Sequence, residues 1–446
     1  MAAFFRLWLA LLYLVTAVTA IPPWRFQRRQ GPPLPTEDPF YEVPSDFESA
    51  APGTILKQRE VPYPIAAFNR VPINIASAHH VMYRSADNFG NATVAVTTIL
   101  VPHDANFKKV LSYQFAEDSS SPNCAPSYAL QKDHEDLGTS TTQAEFLLVV
   151  AALSNGWVVT TPDFEGLEGA FLANRRAGYA VLDGIRATLS STEFTGVSPD
   201  ARVVLWGYSG GSLASGFAAE LQPSYAPELN IVGAALGGTV PEIYPVLTLA
   251  NKSKHSGLIP AGILGISYEY EDVWPILDEQ LVPETRDDFL RAASQCLAEN
   301  NRFYENKDIL SYFKDRNIFE QSRFQEIVNE NSMGHHTPTI PLLVYKADKD
   351  EVSAAQNTTE LVAKYCAEGA IVRHNRDGTS DHASLAIIGA PDVLIWLNDR
   401  LNGKKNQTRC TEHWEFVSVL DPKALLVLSK TLLDELLALL GAEVRR

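Results

Sequence analysis

The sequence is poor in basic residues relative to acidic ones. Its 446 residues include 37 Lys and Arg against 53 Asp and Glu, which gives a formal net charge of −16 and a pI of about 5.1. Nucleic acids and anionic membranes bind surfaces that are rich in Lys and Arg. The composition therefore argues against either as a partner, and a solvated acidic surface is the simplest interpretation of the charge.

The N-terminus lacks an apolar run long enough to cross a bilayer. Residues 7–15 are apolar, but the run is too short for a membrane span. Arg6 precedes it, and the small residues 18–20 follow it as a cleavage site. This arrangement predicts a signal peptide over residues 1–20, a secreted mature chain that begins at Ile21, and no stable membrane insertion.

Cysteine is scarce, with four residues in the whole chain. An even number suits two disulfides in a secreted protein, and the spacing is not that of a zinc site.

The histidine pairs 79–80 and 335–336 lack helical ligand spacing and a carboxylate partner, so no metal or other cofactor is predicted. Asn-x-Ser/Thr sequons predict N-glycosylation at four positions. The cysteines are Cys124, Cys296, Cys366 and Cys410, and the sequon asparagines are Asn91, Asn251, Asn357 and Asn406.

Most of the chain alternates between strand-like and helix-like segments, and it has no internal repeats. This alternation predicts an α/β fold with a mostly parallel sheet that helices flank on both faces. The predicted strands lie at 78–101 with a turn at 88–91, and at 110–115, 157–161, 203–206, 230–236, 340–345 and 371–374. The predicted helices lie at 144–153, 178–189, 212–220, 354–368 and 390–401.

Two segments depart from the alternation. Residues 21–60 are rich in proline and are predicted to form an extended strap or a propeptide. Residues 245–336 contain helix-like pieces and no convincing strand, which predicts a helical cap inserted into the α/β core. The core is then formed by 61–244 and 337–446. Near its end, the Leu-rich segment 422–440 is predicted as a helix, either packed on its own domain or serving as a lipid-facing flap.

Residues 203–211 carry the most informative local pattern. An apolar strand runs into Gly207-Tyr208-Ser209-Gly210-Gly211, and a helix-compatible segment follows. Strand, sharp turn and helix in this order are the context of a nucleophile elbow, whose strained turn exposes the serine hydroxyl. Gly207 and Gly211 flank Ser209 because side chains there would collide across the turn. The amide of Gly210 begins the helix, where it can point at a developing oxyanion.

A serine nucleophile needs a base, and the base needs a carboxylate that orients it. Asp348, Asp350 and Glu351 follow the predicted strand at 340–345, and His382 follows what is predicted to be the last strand of the sheet. Loops at the C-terminal ends of parallel strands carry the sites of such folds. The order Ser, acid, His is that of α/β-hydrolases. The sequence therefore predicts His382 as the base and one of the three acids as its partner.

Three motifs together resemble the fungal secretory lipase family. They are Gly-Tyr-Ser-Gly-Gly at 207–211, Ala-Glu-Asp at 116–118 ahead of Asn-Cys-Ala-Pro-Ser-Tyr at 123–128, and Pro-Asp-Phe-Glu-Gly at 162–166. The resemblance runs from about residue 38 to residue 403. It implies an α/β-hydrolase fold in which Ser209 is the nucleophile, Asp350 the orienting acid and His382 the base. It also implies an oxyanion hole of Asp118 and the Gly210 amide, and disulfides that pair Cys124 with Cys296 and Cys366 with Cys410.

An aspartate in an oxyanion hole has to be protonated or donate through its backbone N–H, because an ionised carboxylate would repel an oxyanion. The chain departs from the family pattern at Lys349, where proline is more usual, and at Ala383, where leucine usually follows the histidine. Neither departure removes a catalytic group.

The resemblance implies a secreted serine carboxylic-ester hydrolase that acts on acylglycerols through an acyl-enzyme. An esterase that deacetylates a fungal secondary metabolite such as a trichothecene stays open. A peptidase or acyltransferase with the same triad and a non-catalytic binding protein are further alternatives. Product analysis with ester, amide and alcohol acceptors would distinguish the enzymes among these.

The predicted cap is rich in carboxylates, namely Glu269, Glu271, Asp272, Asp278, Glu279 and Glu284. We expect them to face water, because burying an unpaired carboxylate costs several kcal/mol. We expect Tyr268, Tyr270, Trp274, Ile276 and Leu277 to pack inward and wall an acyl pocket. Such a cap predicts a preference for short or medium acyl groups and weak activity at oil–water interfaces.

Overall fold

The protein is described by a computed structural model that covers residues 31–404 and 407–415. The strands are β1 (Ile55–Glu60), β2 (Ala66–Ala67), β3 (Val71–Pro72), β4 (Ser77–Ala86), β5 (Ala92–Val101), β6 (Asn106–Gln114), β7 (Trp157–Pro162), β8 (Arg202–Tyr208), β9 (Ile231–Gly237), β10 (Leu342–Ala347), β11 (Val372–Asp377) and β12 (Thr411–Glu415). The helices are α1 (Pro126–Ala129), α2 (Ser140–Ser154), α3 (Asn174–Leu189), α4 (Thr192–Thr195), α5 (Gly210–Tyr225), α6 (Ile243–Ala250), α7 (Leu258–Glu269), α8 (Val273–Gln280), α9 (Arg286–Leu290), α10 (Leu297–Tyr304), α11 (Ser322–Glu330), α12 (Ala355–Ala367), α13 (His382–Ile388) and α14 (Ala390–Leu401).

One large sheet organises the fold. Its strand order is β1-β4-β5-β7-β6-β8-β9-β10-β11-β12, and β2 and β3 form a separate hairpin. Every pair from β7 to β12 in that order is parallel, whereas β1, β4 and β5 are joined by antiparallel pairing. The prediction of a mostly parallel sheet flanked by helices is confirmed.

Two apolar layers cover the sheet, and the alternation of side chains along β8 shows how they are separated. Val203 and Leu205 pack with helices α3, α5 and α12 on one face. Val204 and Trp206 pack with helices α2 and α14 on the other face. Full burial of a large apolar side chain contributes about 1.5–3 kcal/mol. The unbroken apolar run before the elbow therefore follows from burial on both faces.

Three elements differ from the predictions. Strand β1 lies inside the segment assigned to a strap and pairs with β4 at the sheet edge, where its polar side chains are tolerated. Helix α13 begins at His382, in a segment assigned to a loop, and Asp381 caps it by accepting from the N–H of Ser384. Strand β12 extends the sheet beyond β11, so His382 does not follow the last strand.

The chain between β9 and β10 forms six α-helices, α6 to α11, with four short 3₁₀ helices, and it has no strand beyond one isolated bridge between Leu281 and Phe313. These helices bury an apolar cluster of their own that includes Phe289, Tyr304 and Ile327. The segment corresponds to the predicted cap, although its first helix begins at Ile243 rather than at residue 245. Its status as a separate domain stays a prediction.

Disulfides join Cys124 to Cys296 and Cys366 to Cys410, the pairs that the resemblance implied. The first fastens the cap to the loop that follows β6. In the two ranges that the structure covers, no helix combines the length and the hydropathy that a membrane crossing requires. The predicted signal peptide, the Asn406 sequon and the predicted helix at 422–440 lie outside the described residues.

Candidate active site

Ser209 forms the turn between β8 and α5. It has φ 52° and ψ −120°, a strained conformation for a residue with a side chain. Its main-chain N–H donates to the carbonyl of Gly237 at 2.9 Å, and its carbonyl accepts from the N–H of Ser212 at 2.9 Å. These bonds hold the strained turn, which projects the serine side chain from the end of the sheet.

The glycines around Ser209 are required by close packing of the main chain. A Cβ at Gly207 would overlap the main chain of Gly211, and a Cβ at Gly211 would overlap the carbonyl of Gln114 at the end of β6. A Cβ at Gly210 would overlap a carboxyl oxygen of Asp118. As expected from the sequence, the structure has no room for side chains at Gly207 and Gly211. Gly210 is in contact with Asp118.

Ser209, His382 and Asp350 form one hydrogen-bonded chain, although they come from the turn before α5, the first residue of α13 and the loop after β10. His382 Nε2 lies 2.9 Å from Ser209 Oγ, and Nδ1 lies 2.7 Å from Asp350 Oδ2. The side chain of His382 is 11% exposed and that of Asp350 is 0% exposed. With Nδ1–H donating to the carboxylate, Nε2 is left to accept the serine proton.

The three acidic candidates have different partners. Asp350 alone contacts the imidazole of His382. Asp348 points away and pairs with Arg376 at 2.7 Å. Glu351 accepts the main-chain N–H of His382 at 3.0 Å, and its other carboxyl oxygen is 2.9 Å from Lys254 of the cap. The structure therefore brings Asp350 to the imidazole and Glu351 to the backbone behind it.

Lys346 is a residue of this site that the sequence analysis did not single out. It lies in β10 with its side chain 1% exposed, and its Nζ is 2.8 Å from Asp350 Oδ2. Burial raises the pKa of Asp350, but hydrogen bonds and charges from His382 and Lys346 outweigh it and hold that pKa well below its usual range. The predicted strand ended at residue 345, so Lys346 stood in the sequence among the charged residues that follow the strand.

Asp118 lies on the loop after β6 with φ 46°. Burial raises the pKa of its carboxyl to about 7. Oδ1 has no hydrogen-bond partner within the described part of the chain. A carboxyl that carries its proton can donate from this position to a ligand beside Ser209, because Asp118 contacts Gly210 at the start of α5.

An apolar cavity opens at Ser209, Gly210 and Asp118. It contains about 950 Å³ of space that no atom fills, counting the part open to solvent. Apart from Ser209, Asp118 and the hydroxyl of Tyr244, its lining side chains are apolar, and most belong to the cap. The cap residues that line it are Ile243, Tyr244, Val246, Leu247, Ala250, Leu258, Ile259, Gly262, Ile263, Ile266, Val273, Phe319, Phe324, Ile327 and Val328.

Comparison with known proteins identifies the family. Residues 131–408 match the family model described as secretory lipase. The chain belongs to the secretory lipase family. It is 50% identical over 423 residues to Lipase A of Arthroderma benhamiae, which covers 93% of this chain and 90% of that protein. It is 37% identical to Lipase 4 of Candida albicans over 93% of each protein.

The fold of this secretory lipase is similar to the crystal structure of Candida antarctica lipase A in its closed state. The TM-score is 0.82 at 28% sequence identity, and the match covers 91% of this chain and 95% of the other. The family and fold resemblance is confirmed. The protein is thus an α/β-hydrolase and an enzyme, a carboxylic ester hydrolase of the lipase type.

The cap residues that line the cavity of this secretory lipase are not the ones that the sequence predicted. None of the five expected wall residues lines the cavity. Tyr268 is 39% exposed, while Tyr270 and Leu277 are buried elsewhere. Nor does Glu269 face water, since it is 8% exposed and its Oε2 accepts from Arg176 at 3.0 Å. Pairing allows this carboxylate to be buried, and helices α6, α7 and α11 supply the apolar wall instead.

The three sequon asparagines that the structure describes differ in their exposure. Asn91 is exposed at the turn between β4 and β5, whereas Asn251 and Asn357 are half-buried. The side chain of Asn251 donates to Asp308 at 2.9 Å and accepts from the N–H of Ile309 at 2.8 Å. Asn91 is the one exposed asparagine of the three described sequons, and its side-chain amide donates to Asp87 Oδ2 at 2.9 Å. In the described ranges, no three His, Cys, Asp or Glu side chains converge to hold a metal ion.

Proposed function

We propose that this protein is a secreted serine lipase that cleaves acylglycerols with medium or long acyl chains, in place of the short or medium chains that the acidic cap led us to expect. The observation that carries the proposal is the position of Ser209, whose hydroxyl is bonded to His382 and stands at the mouth of the apolar cavity. A cavity with aliphatic walls favours an alkyl chain over a polar substituent, because chain burial removes apolar surface from water.

In the proposed reaction, Ser209 Oγ attacks the ester carbonyl while His382 Nε2 takes the hydroxyl proton. Asp350 holds Nδ1–H and stabilises the imidazolium. The N–H of Gly210 and the protonated carboxyl of Asp118 donate to the oxyanion of the tetrahedral intermediate. His382 then gives its proton to the departing alcohol, which leaves an acyl-enzyme. Water attacks the acyl-enzyme by the same steps and releases the acid.

The deacetylase alternative is less well supported. An acetyl group would contact few of the aliphatic side chains that line the cavity, and a polar metabolite would leave its hydroxyls unpaired against Leu, Ile and Val side chains. Secretion is supported by the secretory lipase family match and by two disulfides, which persist in oxidising compartments.

A panel of p-nitrophenyl and glycerol esters of increasing acyl length tests the activity, with Ser209→Ala as the inactive control. We expect hydrolysis to depend on Ser209 and to favour medium or long chains. Initial rates of tributyrin and triolein hydrolysis, measured through each solubility limit, show whether activity rises at an interface. Activity that survives Ser209→Ala would refute the proposed nucleophile.

A matched pair of variants on α6 tests the acyl site. Leu247 lines the cavity, whereas Leu249 is 44% exposed two residues along the same helix. Leu247→Trp should shift the preference toward short chains because the indole fills part of the cavity, and Leu249→Trp should leave the chain-length profile unchanged. Equal profiles for both variants would show that acyl chains bind elsewhere.

A further inference from the structure

Lys346 is a buried cation with no place in the reaction steps above. Its side chain is 1% exposed, and its Nζ lies 2.8 Å from Asp350 Oδ2 and 2.8 Å from the carbonyl oxygen of Thr239. Burial of an ammonium group without a partner is strongly unfavourable, so the position is tolerated because Asp350 balances the charge. Lys346 does not line the cavity, and its effect on catalysis would pass through Asp350.

Four donors hold the carboxylate of Asp350. Oδ2 accepts from His382 Nδ1 at 2.7 Å and from Lys346 Nζ at 2.8 Å. Oδ1 accepts from the main-chain N–H groups of Val352 and Ser353, each at 2.9 Å. A carboxylate held on both oxygens has a fixed plane, and that plane fixes the orientation of the imidazole.

Asp350 Oδ2 contacts both Lys346 and His382, so the charge of the lysine affects the imidazole through this oxygen. A carboxylate beside an imidazole stabilises the imidazolium and so favours protonation of the base. An ammonium group on the same carboxylate oxygen opposes that protonation. The ammonium and the imidazole are in a region with almost no solvent exposure, where charges are weakly screened.

We propose that Lys346 is a positioning residue that fixes the carboxylate of Asp350 and offsets the charge that this carboxylate presents to His382. The proposal rests on the proposed triad. It predicts that the enzyme keeps activity at lower pH than the same triad would without the cation.

Other groups face His382 from the neighbouring elements. Tyr208 of β8 donates its hydroxyl to the His382 carbonyl, and burial raises the pKa of that phenol. Glu351 accepts the His382 N–H and pairs with Lys254, whose side chain is 58% exposed. His255 Nε2 lies 3.6 Å from Glu351, and Asp381 is exposed at the start of α13. The charged members of this group have solvent access, which distinguishes them from Lys346.

Lys346→Met tests the proposal, with Lys349→Met as the matched control. Lys349 is an exposed lysine three residues further along the chain, so its removal changes the net charge equally. Two like charges about 5 Å apart at an effective dielectric constant of about 20 shift a titration by about two pH units. We expect the acidic limb of the kcat/KM profile to move up by about one to two pH units in Lys346→Met only. KM should be unchanged at the pH optimum.

A lysine with a purely structural role gives a different result. It would lower kcat/KM by the same factor at every pH, with the acidic limb unmoved, and that outcome overturns the proposal. Lys346→Gln is made in parallel because its amide still donates to the Thr239 carbonyl and supports folding. A limb that moves in Lys346→Gln as in Lys346→Met confirms that loss of charge is the cause.

The unmodified enzyme provides a test that does not depend on folding of a variant. If the buried Lys346 sets the acidic limb of the kcat/KM profile, raising the salt concentration should leave the pH of that limb unchanged. A large salt-dependent displacement would assign the limb to exposed charges such as Lys254 and overturn the proposal. Absence of Ser209-dependent esterase activity at any pH would instead contradict the proposed function, so the two failures are distinguishable.

Discussion

Replacement of Asp118 by Asn should extend activity to alkaline pH. Burial raises the pKa of this carboxyl to about 7, so its O–H can donate to an oxyanion below that pH and is lost above it. An amide donates at every pH and does not titrate. Asn also tolerates the positive φ of 46° at this position better than most residues do.

The expected magnitude follows from the loss of one oxyanion donor. Removal of such a donor lowers kcat by about 10²- to 10³-fold, equivalent to about 3–4 kcal/mol of transition-state stabilisation. The unmodified enzyme should therefore lose activity as the pH rises through about 7, and an ionised Asp118 in contact with Gly210 adds repulsion to the missing bond. Asp118→Gly should lose the donor at every pH without straining the backbone.

The assay is kcat/KM for a p-nitrophenyl ester between about pH 4 and pH 9, with product read at one fixed pH after quenching. Asp118→Asn should lack the alkaline limb, and Asp118→Gly should be lower throughout. An alkaline limb that is the same in Asp118→Asn and the unmodified enzyme would assign the titration to another group. Full activity in Asp118→Gly would remove Asp118 from the oxyanion hole.

Three further changes should affect activity or stability. Asp350→Asn should lower kcat severely, because an amide cannot hold the imidazole tautomer equally well, whereas Asp348→Asn should lose only a partly exposed ion pair with Arg376; steady-state kinetics of both variants checks this. Paired Cys→Ser changes should lower the free energy of unfolding by about 5 kcal/mol for the disulfide that spans 172 positions and about 4 kcal/mol for the one that spans 44, as measured by denaturant unfolding. Burial raises the pKa of Asp163 to about 7 and that of Glu145 to about 8. In the unfolded chain these carboxyls ionise near pH 4. Their contribution to the free energy of unfolding is therefore complete below pH 4 and is lost as the pH rises to about 8. Thermal unfolding should therefore occur at a lower temperature at pH 8 than at pH 5, and an equal or higher Tm at pH 8 would contradict it.

Local patterns in the sequence were enough to predict most of the sheet and the elbow. The run before Ser209 is apolar at every position because helices cover β8 on both faces, and the glycines around it are required by main-chain contacts. These are constraints that short stretches of sequence carry. The edge strands β1 and β12 were missed because an edge strand does not need an apolar or alternating pattern.

Contacts between distant parts of the chain could not be predicted in the same way. Lys346 appeared in the sequence as one charge among several after a strand, and only the fold places it against the oxygen of Asp350 that His382 also uses. The pKa of the Asp118 carboxyl is raised to about 7 by burial against distant parts of the chain, which no local pattern in the sequence shows.

The cap shows why the number of acidic residues in a segment does not predict which of its side chains face water. Several of its carboxylates have cationic partners, since Glu269 is 3.0 Å from Arg176, Asp272 is 2.6 Å from Arg323 and Asp278 is 2.9 Å from Arg286. Arg176 belongs to α3 of the core, so Glu269 joins the cap to that helix rather than facing bulk water. The charge that argued against contact with lipid is thus partly used in holding the cap in place. The face of the cap that lines the cavity beside Ser209 is formed mostly by Leu, Ile, Val and Phe side chains, so an acidic sequence and an apolar wall occur in the same segment.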